Sequence, residues 1–308
     1  LVWHAANALG AISAKPDEVV PALTPLLKNS SPEVKAHAAI ALGNFGSAAK
    51  SAVPELIKLL ADSELNVKLD AASALGSIGP DASSAVPALA KAMQDGPTAL
   101  TLTSASALAS IGKAAVPEVT KLLNKDSSLK LLAIHVLGEI GTESEESIPE
   151  LLKLTKSDDT DIRETAIVSL GEIGPKAIKA EPELIKILEN STGTTRNKAV
   201  YALSKIGSKK ALPLIKKYAE SDSDDERFRL VCAWALLREN PTNPEAVNAA
   251  LPGLIKALSD ENAMLRREAA SAIALSGPLA KSAVPSLKEA LETEQDQQVI
   301  FEIITALG

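Results

Sequence analysis

Residues 148–174 read IPELLKLTKSDDTDIRETAIVSLGEIG, and the fold follows from how this stretch is punctuated. Ile148-Pro149 opens a helix: proline in the first turn sacrifices no hydrogen bond, because its N–H would be an orphan there, and its fixed φ suits the start. The polar run Asp158-Asp159-Thr160-Asp161 breaks the apolar pattern and forms a short turn. A second apolar-periodic segment then ends in Leu170-Gly171-Glu172-Ile173-Gly174, where the closing glycine suits a left-handed C-cap that would strain any side chain. The stretch is therefore a helix A, a turn and a helix B.

The same unit recurs along the chain. An apolar residue followed by proline stands at Val20-Pro21, Val53-Pro54, Val86-Pro87, Val116-Pro117, Ile148-Pro149, Leu212-Pro213, Leu251-Pro252 and Val284-Pro285, with Pro182 in the same place after Glu181. Closing glycines recur at Gly79, Gly112, Gly141, Gly174 and Gly207. Two helices alone cannot bury their apolar faces, so consecutive units stack into one core. The expected fold is all-α: an α-solenoid, wound as a right-handed superhelix, of about nine helix pairs. It is expected to run as one continuous array over 1–308, with an irregular insertion near 238–250 where Asn240-Pro241-Thr242-Asn243-Pro244 interrupts the spacing. Another irregularity is the shortened link from Gly112 to Val116. The chain opens inside a helix B and closes at the end of another, so it reads as a fragment of a longer one.

Aligned on the leucine of helix B (Leu42, Leu75, Leu108, Leu137, Leu170, Leu203, Leu236), the units resolve into columns. Four residues earlier stand small side chains (Ala38, Ala71, Ser104, Ala133, Ala166, Ala199, Cys232, Ala269), and three later stand Phe45, Ile78, Ile111, Ile140, Ile173 and Ile206. By 3.6-residue geometry these share one face and form the core. Seven before the leucine is a basic column, Lys35, Lys68, Lys130, Arg163, Arg196, Arg229 and Arg266. Six before each of several of these cations is a turn residue able to accept hydrogen bonds: Asn29, Asp62, Asn124, Asn190 and Asp260. A cation placed there can bond an adjacent turn and tie one unit to the next.

With these columns the chain resembles the HEAT-repeat family, in the bacterial form called phycobilisome-lyase-like, and the resemblance covers essentially its whole length. It implies fold rather than activity, because the shared motif is structural. Composition agrees. Seven aromatic residues are too few for a core built on rings, so small aliphatics must pack it. One cysteine excludes an internal disulfide or a multi-thiolate zinc site, and three histidines leave little imidazole for metals. A formal charge of −7 disfavours general nucleic-acid binding. No uninterrupted apolar run is long enough to span a membrane. The chain begins at Leu1 without Met, so an earlier leader stays open and localisation is not encoded in what is present.

The helix B stripe opposite the core would line the concave surface if the family's geometry holds. Trp3, Tyr201, Trp234 and Phe301 fall in it, and Tyr201 and Trp234 share a column in adjacent units. Lys198, Lys205 and Arg238 flank them, in a region where Arg196 to Lys217 holds seven cations and no carboxylate; Glu143 to Glu164 is, conversely, acidic. Rings with nearby cations are common binding hot spots. Lys198, Tyr201, Lys205, Trp234 and Arg238 are therefore the expected partner-binding residues. The expected function is a non-enzymatic scaffold for a protein or peptide partner, with no catalytic residue, cofactor or metal. An alternative is a lyase-like or DNA-glycosylase-like HEAT module acting through the same groove, which would need a titratable group such as Glu172 beside the rings. The histidine-glutamate pairs of a di-iron HEAT hydroxylase are missing, although His4 and His37 share a column. No phosphate loop, nucleophile elbow or dinucleotide fingerprint occurs.

Overall fold

A computed structural model describes residues 15–219, 226–239 and 241–308. These residues fall into two compact units that divide between Ser169 and Leu170. The first holds α1 (Pro16–Leu23), α2 (Pro32–Asn44), α3 (Val53–Leu59), α4 (Leu65–Ile78), α5 (Val86–Asp95), α6 (Thr98–Ile111), α7 (Val116–Leu122), α8 (Ser127–Ile140) and α9 (Ile148–Leu154). Helix α10 (Thr160–Ile173) contains the boundary. The second unit continues with α11 (Glu181–Asn190), α12 (Gly193–Lys205), α13 (Leu212–Ala219), α14 (Glu226–Glu239), α15 (Pro244–Ala257), α16 (Ala263–Leu275), α17 (Val284–Thr293) and α18 (Gln297–Leu307). The described residues thus form helix pairs, with no β-strand among them, and the all-α solenoid architecture stands.

The core columns are where the periodicity places them. Ala38, Ala71, Ala133, Ala166, Ala199 and Cys232 are fully buried, as are Leu42, Leu75, Leu108, Leu137, Leu170 and Leu203. Two positions depart from the pattern: Leu236 and Phe45 are only half-buried, and in α14 the neighbours Ala235 and Leu237 are buried instead. Aligned units would put Leu236 in the core, but α14 carries Glu239 where five other units have an isoleucine and one has Phe45. Losing that apolar residue removes the reason to hold the same face inward.

At three B-helix ends the closing glycine is not in the left-handed helical conformation. Gly79, Gly112 and Gly141 have φ of 71°, 76° and 67° with ψ near −139°, −137° and −133°, a region essentially reserved for glycine. Each turns the chain directly into a 3-10 segment: Gly79–Ala85, Gly112–Ala115 and Gly141–Ser147, with Gly46–Ala52 similar in the first unit and Gly174–Ala180 and Gly277–Ala283 in the second. Side chains three apart eclipse in a 3-10 helix, so one face must be small where it is packed. Ala49 with Ala52, Ala82 with Ala85, and Ala177 with Ala180 supply that face, all fully buried. Ser144 and Ser147 replace alanines in one link, and their hydroxyls bond the carbonyls of Leu137 and Ser144.

Proline opens the A helices at Pro54, Pro87, Pro117, Pro149, Pro182 and Pro285. Pro21 and Pro252 differ in lying inside α1 and α15. In α15 the cause is local: Asn243 caps the helix by accepting from the N–H of Glu245 and Ala246, and Pro244 takes the first-turn position. Most of the 238–250 insertion is therefore an upstream extension of a helix A.

The first glycine of each Leu-Gly pair has a separate role. A Cβ on Gly43 would lie 3.0 Å from Ala74 Cα, one on Gly76 2.9 Å from Ala107 Cα, and one on Gly138 2.8 Å from Ser169 Oγ. In the second unit, a Cβ on Gly171 would be 2.9 Å from Ala202 Cα. Successive B helices touch backbone to backbone at these glycines, which sets how closely neighbouring repeats stack.

The basic column also links repeats. Lys35 pairs with Asp62, whose other oxygen accepts from the N–H of Glu64, and the lysine holds the Asp62 carboxyl below the usual range. Arg266 forms a fork with Glu294 at 2.6 and 2.9 Å while donating to the carbonyls of Asp260 and Glu261. Arg163 bonds the carbonyl of Ser157, six residues back in its own turn. Of these three cations, Lys35 reaches the next turn, Arg163 clamps its own and Arg266 does both.

Candidate functional site

Tyr201 projects from α12 and Trp234 from α14, and their rings stack with centroids 5.5 Å apart and planes 12° from parallel. The two helices are successive B helices of the second unit, so a shared column becomes a ring-on-ring contact. Lys205, one turn after Tyr201, places Nζ 5.4 Å from the Tyr201 centroid, and Arg238, one turn after Trp234, places Cζ 5.8 Å from the Trp234 ring. Each helix thus contributes an aromatic at i and a cation at i+4, the spacing that puts both on one face. Lys198 lies three residues before Tyr201 on α12 and is half-buried.

Glu172 of α10 completes the cluster. It accepts a hydrogen bond from the Tyr201 hydroxyl and sits 3.6 Å from Lys205 Nζ. Burial, together with the bond to Glu172 and its charge, raises the Tyr201 phenol well above its ordinary value, so the hydroxyl stays a donor. The sequence-level requirement that a carboxylate stand beside the rings is met. Trp234 is only 8% exposed, so most of the indole surface is spent on packing. The exposed chemistry of the patch comes from Tyr201, Lys205 and Arg238 rather than from two open rings.

The basic stretch is also less uniform than its sequence suggests. Arg196 faces inward, 4.2 Å from the Tyr218 centroid and 3.9 Å from that of Phe228, and donates to the carbonyl of Leu188. Lys210 pairs with Glu181 at 3.0 Å, and Glu181 is buried, also accepting from Ser208 Oγ at 2.8 Å. Lys210 first, then Ser208, pulls the Glu181 carboxyl below its usual range. Carboxylates from the preceding repeat therefore neutralise part of a segment that contains none. The signal was visible: Glu181 occupies the place before proline where other units have valine, leucine or isoleucine.

Phe301 projects into solvent from α18, while Trp3 and His4 lie outside the described residues. His37 Nδ1 lies 2.7 Å from the carbonyl of Glu33 in its own helix. Among the described residues, no three or more His, Cys, Asp or Glu side chains group closely enough to hold a metal ion. Thr98–Leu122 is long and apolar enough to be tested as a membrane span. It consists of α6, a 3-10 link and α7, broken at Gly112 with φ of 76°, and half of its most apolar window is buried in the protein.

The HEAT-repeat family profile matches residues 2–51, 20–109, 86–164, 116–192, 148–237 and 228–308. The chain belongs to the HEAT-repeat family. Solved structures agree on the fold. Importin beta matches at 15% identity and a TM-score of 0.52 over 99% of this chain and 48% of that one. A Kap121p mutant matches at 13% and 0.53 over 96% of this chain and 38% of that one. A homology model of the full-length AP-3 complex matches at 16% and 0.53 over 96% of this chain and 57% of that one. The HEAT-repeat chain thus spans between about two fifths and three fifths of these relatives, and the likeness is one of fold. No curated protein sequence matches it.

Proposed function

We propose that this HEAT-repeat chain is a non-enzymatic scaffold that binds a protein or peptide through the B-helix surface carrying Lys198, Tyr201, Lys205, Trp234 and Arg238. The observation that supports this reading most directly is the repeated aromatic-cation pair on adjacent helices, Tyr201 with Lys205 and Trp234 with Arg238. Stacked rings held by buried neighbours lose little conformational entropy on binding, and cations beside them supply directional contacts. A partner presenting carboxylates next to an apolar side chain matches this surface.

The test is partner capture from the source organism's lysate by the wild-type protein and by a Lys205→Gln, Arg238→Gln variant, with bound proteins identified by mass spectrometry. These side chains are partly exposed, so the helices should stay intact by circular dichroism. Proteins retained by wild type and lost from the variant would support the surface; identical sets would place binding elsewhere. A second reading, catalysis in the same groove, is favoured by one feature, the Glu172 carboxylate on the Tyr201 hydroxyl. Glu172→Gln separates the two: a scaffold keeps its partner, whereas a reaction needing that carboxylate would stop with binding unchanged.

A further inference from the structure

In residues 1–169 a groove of about 720 Å³ opens between α6 and α8 and extends to the start of α10. It sits where the repeat breaks its own rules. Ala109 stands in place of the contact glycine of α6, and by repeat alignment Val136 stands where Ala74 and Ala107 take the backbone contact in earlier pairs. The 3-10 link after α6 has four residues, Gly112–Ala115, where the others beginning at such a glycine have seven. Thr101 occupies the basic column and spends its hydroxyl on the carbonyl of Gly96, so α6 offers no cation to the next turn. The groove lies between the N-terminal halves of these two B helices, where no cation of α6 reaches the next turn.

The groove that results is apolar inside and acidic at its rim. Met93 and Leu129 are buried beneath it, Leu131 and Leu132 are half-buried, and Leu102 is 54% exposed on its wall. Helix α6 carries no charged residue at all. The rim holds Asp126 and Asp161, and no lysine or arginine lines the groove; Lys125 and Lys130 are outside it. Asp126 uses one oxygen to cap α8 through the N–H of Leu129. Asp161, exposed in the first turn of α10, follows Asp158 and Asp159 of the preceding turn. The remaining titratable lining group, His135, faces Glu139 at 3.3 Å. A volume of this size falls in the range of ordinary ligand clefts.

We infer that this groove docks a peptide segment whose apolar side chains are followed by lysine or arginine, the apolar groups lying against Leu102, Leu131 and Leu132 and the cations reaching Asp126 and Asp161. The occupant follows from charge complementarity: a largely apolar trough whose acidic lining residues, Asp126 and Asp161, are met by no lining lysine or arginine disfavours an acidic amphipathic segment and attracts a basic one. This surface is separate from the Tyr201–Trp234 patch, and its failure would leave that proposal untouched.

Fluorescence polarisation with three labelled peptides of equal length tests it: one of leucine and lysine in an amphipathic pattern, one with glutamate for every lysine, and one with serine for every leucine. The leucine–lysine peptide should bind at least about tenfold tighter than either control. An Asp126→Asn, Asp161→Asn variant, in which asparagine keeps the cap, should weaken it about tenfold and flatten its salt dependence. Leu102→Ser, at an exposed site, should weaken it several-fold with an unchanged circular dichroism spectrum. Equal binding of the three peptides, or binding indifferent to the Asp126, Asp161 and Leu102 substitutions in folded protein, would overturn the assignment.

Discussion

Gly76 and Gly79 stand three residues apart and do different work. Gly76 lets α4 approach α6: an added Cβ would meet the Cα of Ala107 at 2.9 Å, and backbone cannot move aside cheaply. Gly79 instead supplies a positive φ of 71° for the turn into the 3-10 link. Gly76→Ala should cost about 1–3 kcal/mol through overpacking, measured by urea denaturation. Ser104 makes the opposite case. It occupies the alanine column with its hydroxyl buried and without a partner, so Ser104→Ala should be neutral or stabilising by about 1 kcal/mol in the same assay. Glu294 reads out the clamp with Arg266, which lowers its carboxyl to about 2. Because the folded value is depressed, its stabilisation is present above the ordinary carboxylate pKa of about 4.3 and is lost as pH falls toward 2. Acid denaturation of Glu294→Gln should lack that part of the slope while being less stable than wild type near neutral pH.

At the scale of elements, the 3-10 links are the parts the sequence disguised as loops. Their eclipsed small residues pack as tightly as any helix, so Ala82→Leu should destabilise by about 1–3 kcal/mol, as an overpacked core site does, where a loop site would tolerate it. Differential scanning calorimetry decides between the two. The start of α15 shows the reverse case: Asn243-Pro244 looks like a loop in the sequence but is a cap and first turn, because the asparagine oxygen satisfies two otherwise orphaned N–H groups.

For the molecule as a whole, repeats contact chiefly their neighbours, so damage spreads locally. In Gly76→Ala protein, hydrogen exchange should rise across residues 53–111 while α9 (Ile148–Leu154) keeps its protection; uniform loss across residues 15–169 would contradict nearest-neighbour stacking. The repeat, the helix pairs and most of the core columns were legible in the sequence, because a fixed period makes each position recur in one environment and its chemistry can be averaged by eye. Tyr201 and Trp234 were legible as a column for the same reason. What the sequence did not carry was the geometry where two repeats meet: the Trp234 ring turned inward onto Tyr201, the backbone contact at the first glycine of each Leu-Gly pair, the particular bonds by which Glu172 reaches Tyr201 and Glu181 reaches Lys210, and the groove between α6 and α8. Periodicity reports which face of a helix is buried, but distances between helices depend on side-chain volumes and link lengths acting together across two repeats, and only the tertiary structure resolves that sum.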